Sequence, residues 1–435
     1  MTPREAAREI WQAALAAADV RPLVQRALQT VDIPPAARVR VVGCGKASGA
    51  MAAALEDALG DRITDGCVVV KDGYTVPTRR IRLLEAGHPV PDARGEAAAR
   101  ALLDVAGAAG ADDVVIVLIS GGGSALTPAP VAPITLEEKR TVTRLLLGAG
   151  ATITELNAVR KHLSRIKGGQ LARAAAPARV VTLALSDVIG DPLDVIASGP
   201  TAPDSSTFAD ALAVLASRGV LDAVPTAVRA RLEAGVRGEI EETPKPGDPL
   251  FAWVRNHVIG NNTLVTDAAV ARAAALGYRP TLLTRALEGE AREIAAGLVA
   301  RARALPAPAC LIAAGETTVT VRGTGSGGRC QELALAAALT IEGRDDVVVL
   351  AGGTDGTDGP TDAAGGIVDG GTIARTEAAS IHGRRALDNN DANRALAASG
   401  DLLVSGPTCT NLLDLYLVLH GRCPADGRTA PAPQK

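Results

Sequence analysis

Aromatic side chains are nearly absent, with Phe, Tyr and Trp making up 2% of 435 residues against 47% hydrophobic residues overall. A core of this size has to be built from Ala, Val, Leu and Ile in closely packed layers, which favours helices lying against a sheet. A surplus of one charge is lacking too: 45 basic and 48 acidic residues leave a net charge of -3. No global field is available to hold nucleic acid or an anionic membrane, so any anion site has to be local. The six cysteines (Cys44, Cys67, Cys310, Cys330, Cys409, Cys423) form no CxxC pair and no framework spacing, as expected of reduced thiols in a cytoplasmic protein. The five histidines form no HxH or HExxH pair, which argues against zinc. Long apolar runs are missing as well. Arg4, Glu5, Arg8, Glu9, Asp19 and Arg21 interrupt residues 1–28, and this breaks any signal-peptide core or membrane span. The segment reads instead as an amphipathic surface helix.

What is present is an alternation. Short β-branched runs at 39–42, 66–70, 114–119 and 180–185 read as buried strands. Helical patterns lie between and after them at 48–59, 93–109, 136–147 and 167–175. Strand and helix in turn point to a mostly parallel, doubly wound sheet. After a mainly helical stretch at 206–233 comes Glu241-Glu242-Thr243-Pro244-Lys245-Pro246-Gly247-Asp248-Pro249, which has the composition of a linker. The expected division is therefore a Rossmann-like domain at 1–243 and a second α/β domain at 244–435, each with three α/β/α layers. The second half restarts with strands at 257–259, 281–283, 309–313, 347–350 and 402–404 and helices at 267–275, 289–304 and 331–340. Residues 316–322 alternate like a strand just beyond the preceding one, so a hairpin and a mixed sheet are expected.

Ligands of open α/β sheets bind beyond the carboxyl ends of the strands. The first such loop, Gly43-Cys44-Gly45-Lys46-Ala47-Ser48-Gly49, opens a helix and suits an anion held by backbone N–H groups, with Lys46 adding charge. It is a poor dinucleotide fingerprint: the third glycine falls one place late, and the second strand ends at Val70-Lys71-Asp72 without a clear ribose-binding acid. A turn in which glycine only permits close packing is the bland alternative. Ser120-Gly121-Gly122-Gly123-Ser124 follows the most apolar strand, and three consecutive glycines are costly unless a ligand or backbone comes very close. Neither loop is a Walker A. Arg160, Lys161, His162, Arg165 and Lys167 precede Gly168-Gly169 and form a candidate collar for a carboxylate or phosphate; a solvated charged face is the alternative. Asp187 and Asp191 lie in Ser186-Asp187-Val188-Ile189-Gly190-Asp191-Pro192, directly after a strand. Asp355 and Asp358 lie in the Gly/Asp-rich loop at 352–366, whose rhythm is wrong for an EF-hand but compatible with Mg²⁺.

Together, Gly43-x-Gly45-Lys46, the loops at 120–124, 157–169 and 186–192, Gly327-Gly328-Arg329, residues 354–366 and Ser405-Gly406-Pro407-Thr408 resemble the glycerate 2-kinase family whose C-terminal half is the MOFRL domain. The likeness runs over nearly the whole chain. It implies two α/β domains with the active site in the cleft between them, and phosphorylation of D-glycerate to 2-phosphoglycerate by ATP and Mg²⁺. It also implies that Lys46, Arg329 and Asp355 line that site. Lys46 and Arg329 would hold the glycerate carboxylate or neutralise the moving phosphoryl group. Asp187 or Asp355 would orient the 2-hydroxyl and share Mg²⁺, for which Asp191 and Asp358 are further candidate ligands. The loops holding Gly43 and Gly45 and Gly121, Gly122 and Gly123, with Ser120, Ser124, Arg160 and Lys167, would bind substrate or phosphate. Which loop takes nucleotide and which takes the acid stays open. Cys330 stands where the family usually has asparagine. A monomer or homodimer with small-molecule partners is expected. Members are often named hydroxypyruvate reductases, so an NAD(P)-dependent reductase is one alternative; a non-catalytic hydroxy-acid binder is another.

Overall fold

The computed structural model describes residues 1–421, so Cys423 lies outside the described residues. By residue contacts the chain divides into two compact units: Val20–Ile259, and Met1–Asp19 together with the described residues from Gly260 on. The first contains β1 (Val39–Cys44), β2 (Ile63–Lys71), β3 (Arg82–Ala86), β4 (Val114–Ile119), β5 (Arg179–Leu185) and β6 (Val254–Gly260) in the order β3-β2-β1-β4-β5-β6. The pairs β1/β2, β1/β4, β2/β3 and β4/β5 are all parallel. Val114–Ile119 is buried along its whole length, as a strand covered on both faces requires. Val42, Cys44, Val115, Val117 and Ile119 meet the helix Ala93–Gly107 on one face. The helix Ser48–Leu59 covers the other, where Gly49 lies against Val70. The chain order reverses between β1 and β4, which makes the carboxyl ends of these two strands the switch point of a doubly wound sheet.

The second unit holds β7 (Arg279–Leu287), β8 (Ala309–Gly315), β9 (Val347–Gly353), β10 (Gly365–Asp369), β11 (Leu402–Leu403) and β12 (Asp414–His420), ordered β11-β10-β9-β12-β8-β7. β7 and β8 are parallel, whereas β12 runs antiparallel to both its neighbours and β10 antiparallel to β9. The sheet is mixed as expected, but not through a hairpin at 316–322. That segment forms a loop with a single bridge, Glu290 to Thr318. Its amides are taken by side chains instead: Glu290 accepts from Thr320, and Asn390 accepts from Arg322 and Gly323.

Two further expectations are corrected. The Pro-rich stretch at 241–249 lies inside the first unit rather than between units. Its Thr243 hydroxyl donates to the buried Asp204 carboxylate, while the Asp204 N–H donates to the Pro244 carbonyl. The strand at 257–259 accordingly belongs to β6 of the first sheet, and the boundary moves from 243/244 to 259/260. The N-terminal surface helix is two helices, Pro3–Ala17 and Val20–Thr30, and they fall in different units. The first is closed by a Thr2/Glu5 capping box. It buries Ala6, Ala7, Ile10, Trp11 and Ala14, with the Trp11 ring against Gly352 of β9. Arg4 pairs with Asp369 and Asp401. None of the five described cysteines is in a disulfide. Among the described residues no helix is long and apolar enough to cross a membrane.

Candidate active site

At the switch point the two glycine loops are fastened to each other. The Lys46 N–H donates to the Gly121 carbonyl, the Ala47 N–H to Ser120 Oγ and the Ser120 N–H to the Cys44 carbonyl. A Cβ on Gly43 would stand 2.3 Å from the Leu118 carbonyl oxygen, and one on Gly45 2.1 Å from Ser120 Oγ. These two glycines are thus accounted for by close packing of backbone on backbone. The amides of Lys46 and Ala47, expected to cradle an anion, are already used. What the packing achieves is to bring the start of the Lys46 side chain beside Gly122, where an added Cβ would stand 3.6 Å from Lys46 Cγ and 3.0 Å from the His88 ring. Gly122 itself is left-handed at φ 85°, a conformation that excludes most side chains.

Ser124, at the end of the second loop, is where the charge collects. Its Oγ lies 2.6 Å from Arg160 Nη2, 2.6 Å from Lys167 Nζ and 2.9 Å from Ser198 Oγ; its carbonyl takes a second bond from Lys167 at 2.8 Å. The Ser198 hydroxyl donates to Asn157 Oδ1 at 2.9 Å, so the proton between the two serines comes from Ser124. Ser198 is held there by a left-handed backbone, φ 64°, which costs energy for a residue other than glycine and so marks a constrained site. Lys139 completes the group. It is buried, and its Nζ has no hydrogen-bond partner. Among the described residues none of Lys139, Arg160 and Lys167 forms an ion pair.

Burial and mutual repulsion set the electrostatics. Burial, followed by the Arg160 charge, pushes the Lys139 ammonium down to about 7. Burial lowers Arg160 to about 10. Lys167, 1% exposed, is driven well down by burial and by the charges of Arg160 and Lys139. Three basic side chains packed together, Lys139 and Lys167 buried and Arg160 half-buried, with no ion-pair partner among the described residues, are an unfavourable arrangement that a bound anion relieves.

Other members of the expected collar go elsewhere, because successive helix residues point about 100° apart. Lys161 pairs with the buried Asp204 at 3.2 Å, and His162 Nε2 lies 3.0 Å from Glu242. Arg165 is exposed. Lys139 and Asn157 were not singled out from the sequence. For Lys139 there is a signal: it shares the buried stripe of its helix with Val142 and Leu146, an apolar position for a lysine.

In the second unit Arg329 opens the helix Arg329–Thr340. Its guanidinium grips Asp414 through Nε at 2.5 Å and Nη2 at 3.0 Å, and Glu316 through Nη1 at 2.8 Å. Burial alone would lower its pKa, but Asp414 and Glu316 raise it. Asp414, at the start of β12 and also bonded by the Tyr416 hydroxyl, is the carboxylate that sequence reasoning missed. The Cys330 thiol is buried and pushed well up by desolvation and by the Asp414 charge. Asp355 is buried in the loop after β9 and accepts from the Thr357 N–H.

Of the four expected metal ligands, Asp187 and Asp191 follow β5, and Asp355 and Asp358 follow β9. Asp358 has another occupation. Oδ1 accepts from the Cys330 N–H and Oδ2 from the Gln331 N–H and Nε2, so it caps the helix Arg329–Thr340 from a distant loop. Burial raises it to about 6 even though the Gln331 amide pulls it down. Asp358→Ala should therefore lower stability by about 2 kcal/mol through the stranded donors, read as a drop in melting temperature that added Mg²⁺ does not reverse. An unchanged melting temperature would remove the capping role. Among the described residues no group of three or more His, Cys, Asp or Glu is placed to hold a metal.

Comparison with known proteins also divides the chain in two, with residues 6–19 grouped with the first part rather than the second. The family described as "Domain of unknown function (DUF4147)" matches residues 6–233, and the MOFRL family matches residues 309–414. A D-glycerate 2-kinase of Thermotoga maritima is 45% identical over 88% of this chain and 90% of its own length. A protein of Agrobacterium vitis named for hydroxypyruvate reductase activity is 44% identical over 97% and 95%. The crystal structure of a glycerate kinase from Thermotoga maritima superposes with a TM-score of 0.85 at 42% identity, covering 96% of this chain and 99% of that one.

Proposed function

The chain belongs to the glycerate 2-kinase family, and we propose that it transfers the γ-phosphoryl group of ATP to the 2-hydroxyl of D-glycerate. The observation that carries this is the uncompensated cation cluster of Lys139, Arg160 and Lys167 around Ser124. Both substrates are anions, and phosphoryl transfer needs positioning and charge neutralisation more than covalent help from the protein. The 2-hydroxyl oxygen attacks the γ-phosphorus, the bond from that phosphorus to the β,γ-bridging oxygen breaks, and the hydroxyl proton passes to the Asp187 carboxylate or to solvent. ADP departs with the bridging oxygen.

Within the first unit Lys46, beside Gly122, supplies a positive charge to the reacting groups, and Lys139 and Arg160 hold phosphate. We assign Asp187, in the loop after β5, to orienting the 2-hydroxyl. In the second unit Arg329 is assigned to an anionic group and Asp355 to a hydroxyl or a metal. Mg²⁺ arriving with the triphosphate would be held by one or both of Asp187 and Asp191 and would supply neutralisation of phosphate charge. A dinucleotide reading is disfavoured, because the loop amides it would use at Lys46 and Ala47 are bonded to Gly121 and Ser120. Incubation with D-glycerate and either ATP–Mg²⁺ or NAD(P)⁺ separates the two: glycerate-dependent ADP supports the kinase, and near-ultraviolet absorbance from reduced cofactor refutes it.

A further inference from the structure

We propose that the cavity beside Ser124 is the nucleoside triphosphate site, taking the phosphate chain at Lys139 and Arg160 and the base against Val90, Leu147 and Ile153. This rests on the kinase reading and decides which of the two anionic substrates the Ser124 loop serves. The cavity measures about 820 Å³ and lies wholly within the first unit. A space of that size suits a ligand of nucleotide dimensions and would leave a three-carbon acid loosely held.

Its lining is divided in chemistry. Lys139, Arg140, Arg144 and Arg160 contribute four cations, and no acidic residue lines it, which fits the charge of a triphosphate. Lys139 is 5% exposed with its Nζ unpartnered, and the buried Asn157 Nδ2 on the same helix as Arg160 is unpartnered too. Three of its apolar side chains are open to solvent. Val90, Leu147 and Ile153 are 56%, 60% and 55% exposed, three of the eight large hydrophobic side chains left exposed among the described residues. A lining of aliphatic side chains held out in water fits a flat, weakly polar ring that covers them on binding. Lys139 and Leu147 lie eight residues apart on the helix Leu136–Gly148, roughly 12 Å along its axis. That separation matches a ligand with its charge and its ring at opposite ends, and not D-glycerate. The acid is then left to the Lys46 side of Gly122.

The test is steady-state kinetics of the full chain with ATP–Mg²⁺ and D-glycerate varied in turn, alongside calorimetric binding of a non-hydrolysable ATP analogue. Lys139→Met should raise KM for ATP by about tenfold or more, the loss expected when a charge-assisted hydrogen bond is removed, with KM for glycerate within about twofold. The double variant Leu147→Gln, Ile153→Gln alters only exposed side chains and so should fold normally; it should raise KM for ATP several-fold and leave KM for glycerate unchanged. A rise in KM for glycerate alone, or an unchanged KM for ATP in both variants of an active enzyme, overturns the assignment and leaves the kinase reading standing. If the wild-type protein forms no glycerate-dependent ADP, the kinase reading fails; analogue binding weakened by both variants would still support the nucleotide site, and absence of analogue binding would overturn it.

Discussion

Replacing Lys46 with alanine should lower kcat by a hundredfold or more without unfolding the protein. Removing one preorganised charge contact to a developing transition state typically costs about 3 kcal/mol. The bonds that hold this loop are made by backbone, from the Lys46 N–H to the Gly121 carbonyl and from the Ala47 N–H to Ser120 Oγ, and they survive the truncation. The glycines on either side are there for packing, so the side chain is what remains to act on substrate. Circular dichroism and kcat measured on the same preparation check this. A folded variant with near wild-type kcat would reduce the whole loop to packing.

Lys167→Met should do two opposite things, raising the melting temperature and lowering kcat/KM by about a hundredfold. Lys167 is 1% exposed, lies among Arg160 and Lys139, and has only Ser124 as a partner. Replacing a buried amine, whose protonation burial and two neighbouring basic groups oppose, by an apolar chain of similar length removes a desolvation cost, on the order of 2 kcal/mol, or roughly 4–8 °C in a unit of this size. The same amine, protonated, is what an anionic substrate meets. Thermal unfolding without ligand and kinetics with it read the two effects separately. A variant that melts lower and keeps full activity would make Lys167 a structural residue.

Four strands of the first sheet, β1, β2, β4 and β5, were legible as apolar, largely β-branched runs, whereas β3, with Arg82 and Glu85 in five residues, carries no such signal. β12 was not: Asp414–His420 is the strand between β8 and β9, yet it pairs antiparallel to both, an arrangement that βα alternation does not announce. The linker at 241–249 misled because prolines and charges look solvent-exposed in a sequence, whereas Thr243 and Pro244 are tied to Asp204. At the site, Arg160, Lys167 and Ser124 were found by their proximity to glycine, and the structure joins them. Lys161 and His162 share that proximity but face Asp204 and Glu242, a difference set by helix phase. Asp358 looked like a metal ligand in a Gly/Asp loop, and only its three donors at the start of a helix 27 residues earlier in the chain identify it as a cap.

The measurement closest to the central claim is phosphorus NMR of the product formed from D-glycerate and ATP–Mg²⁺. Phosphorylation at the 2-hydroxyl places the phosphorus next to a carbon bearing one proton, so its signal should be a doublet and should appear together with ADP. A triplet, from phosphate on the terminal CH₂ oxygen, or no new phosphate ester at all, would contradict it.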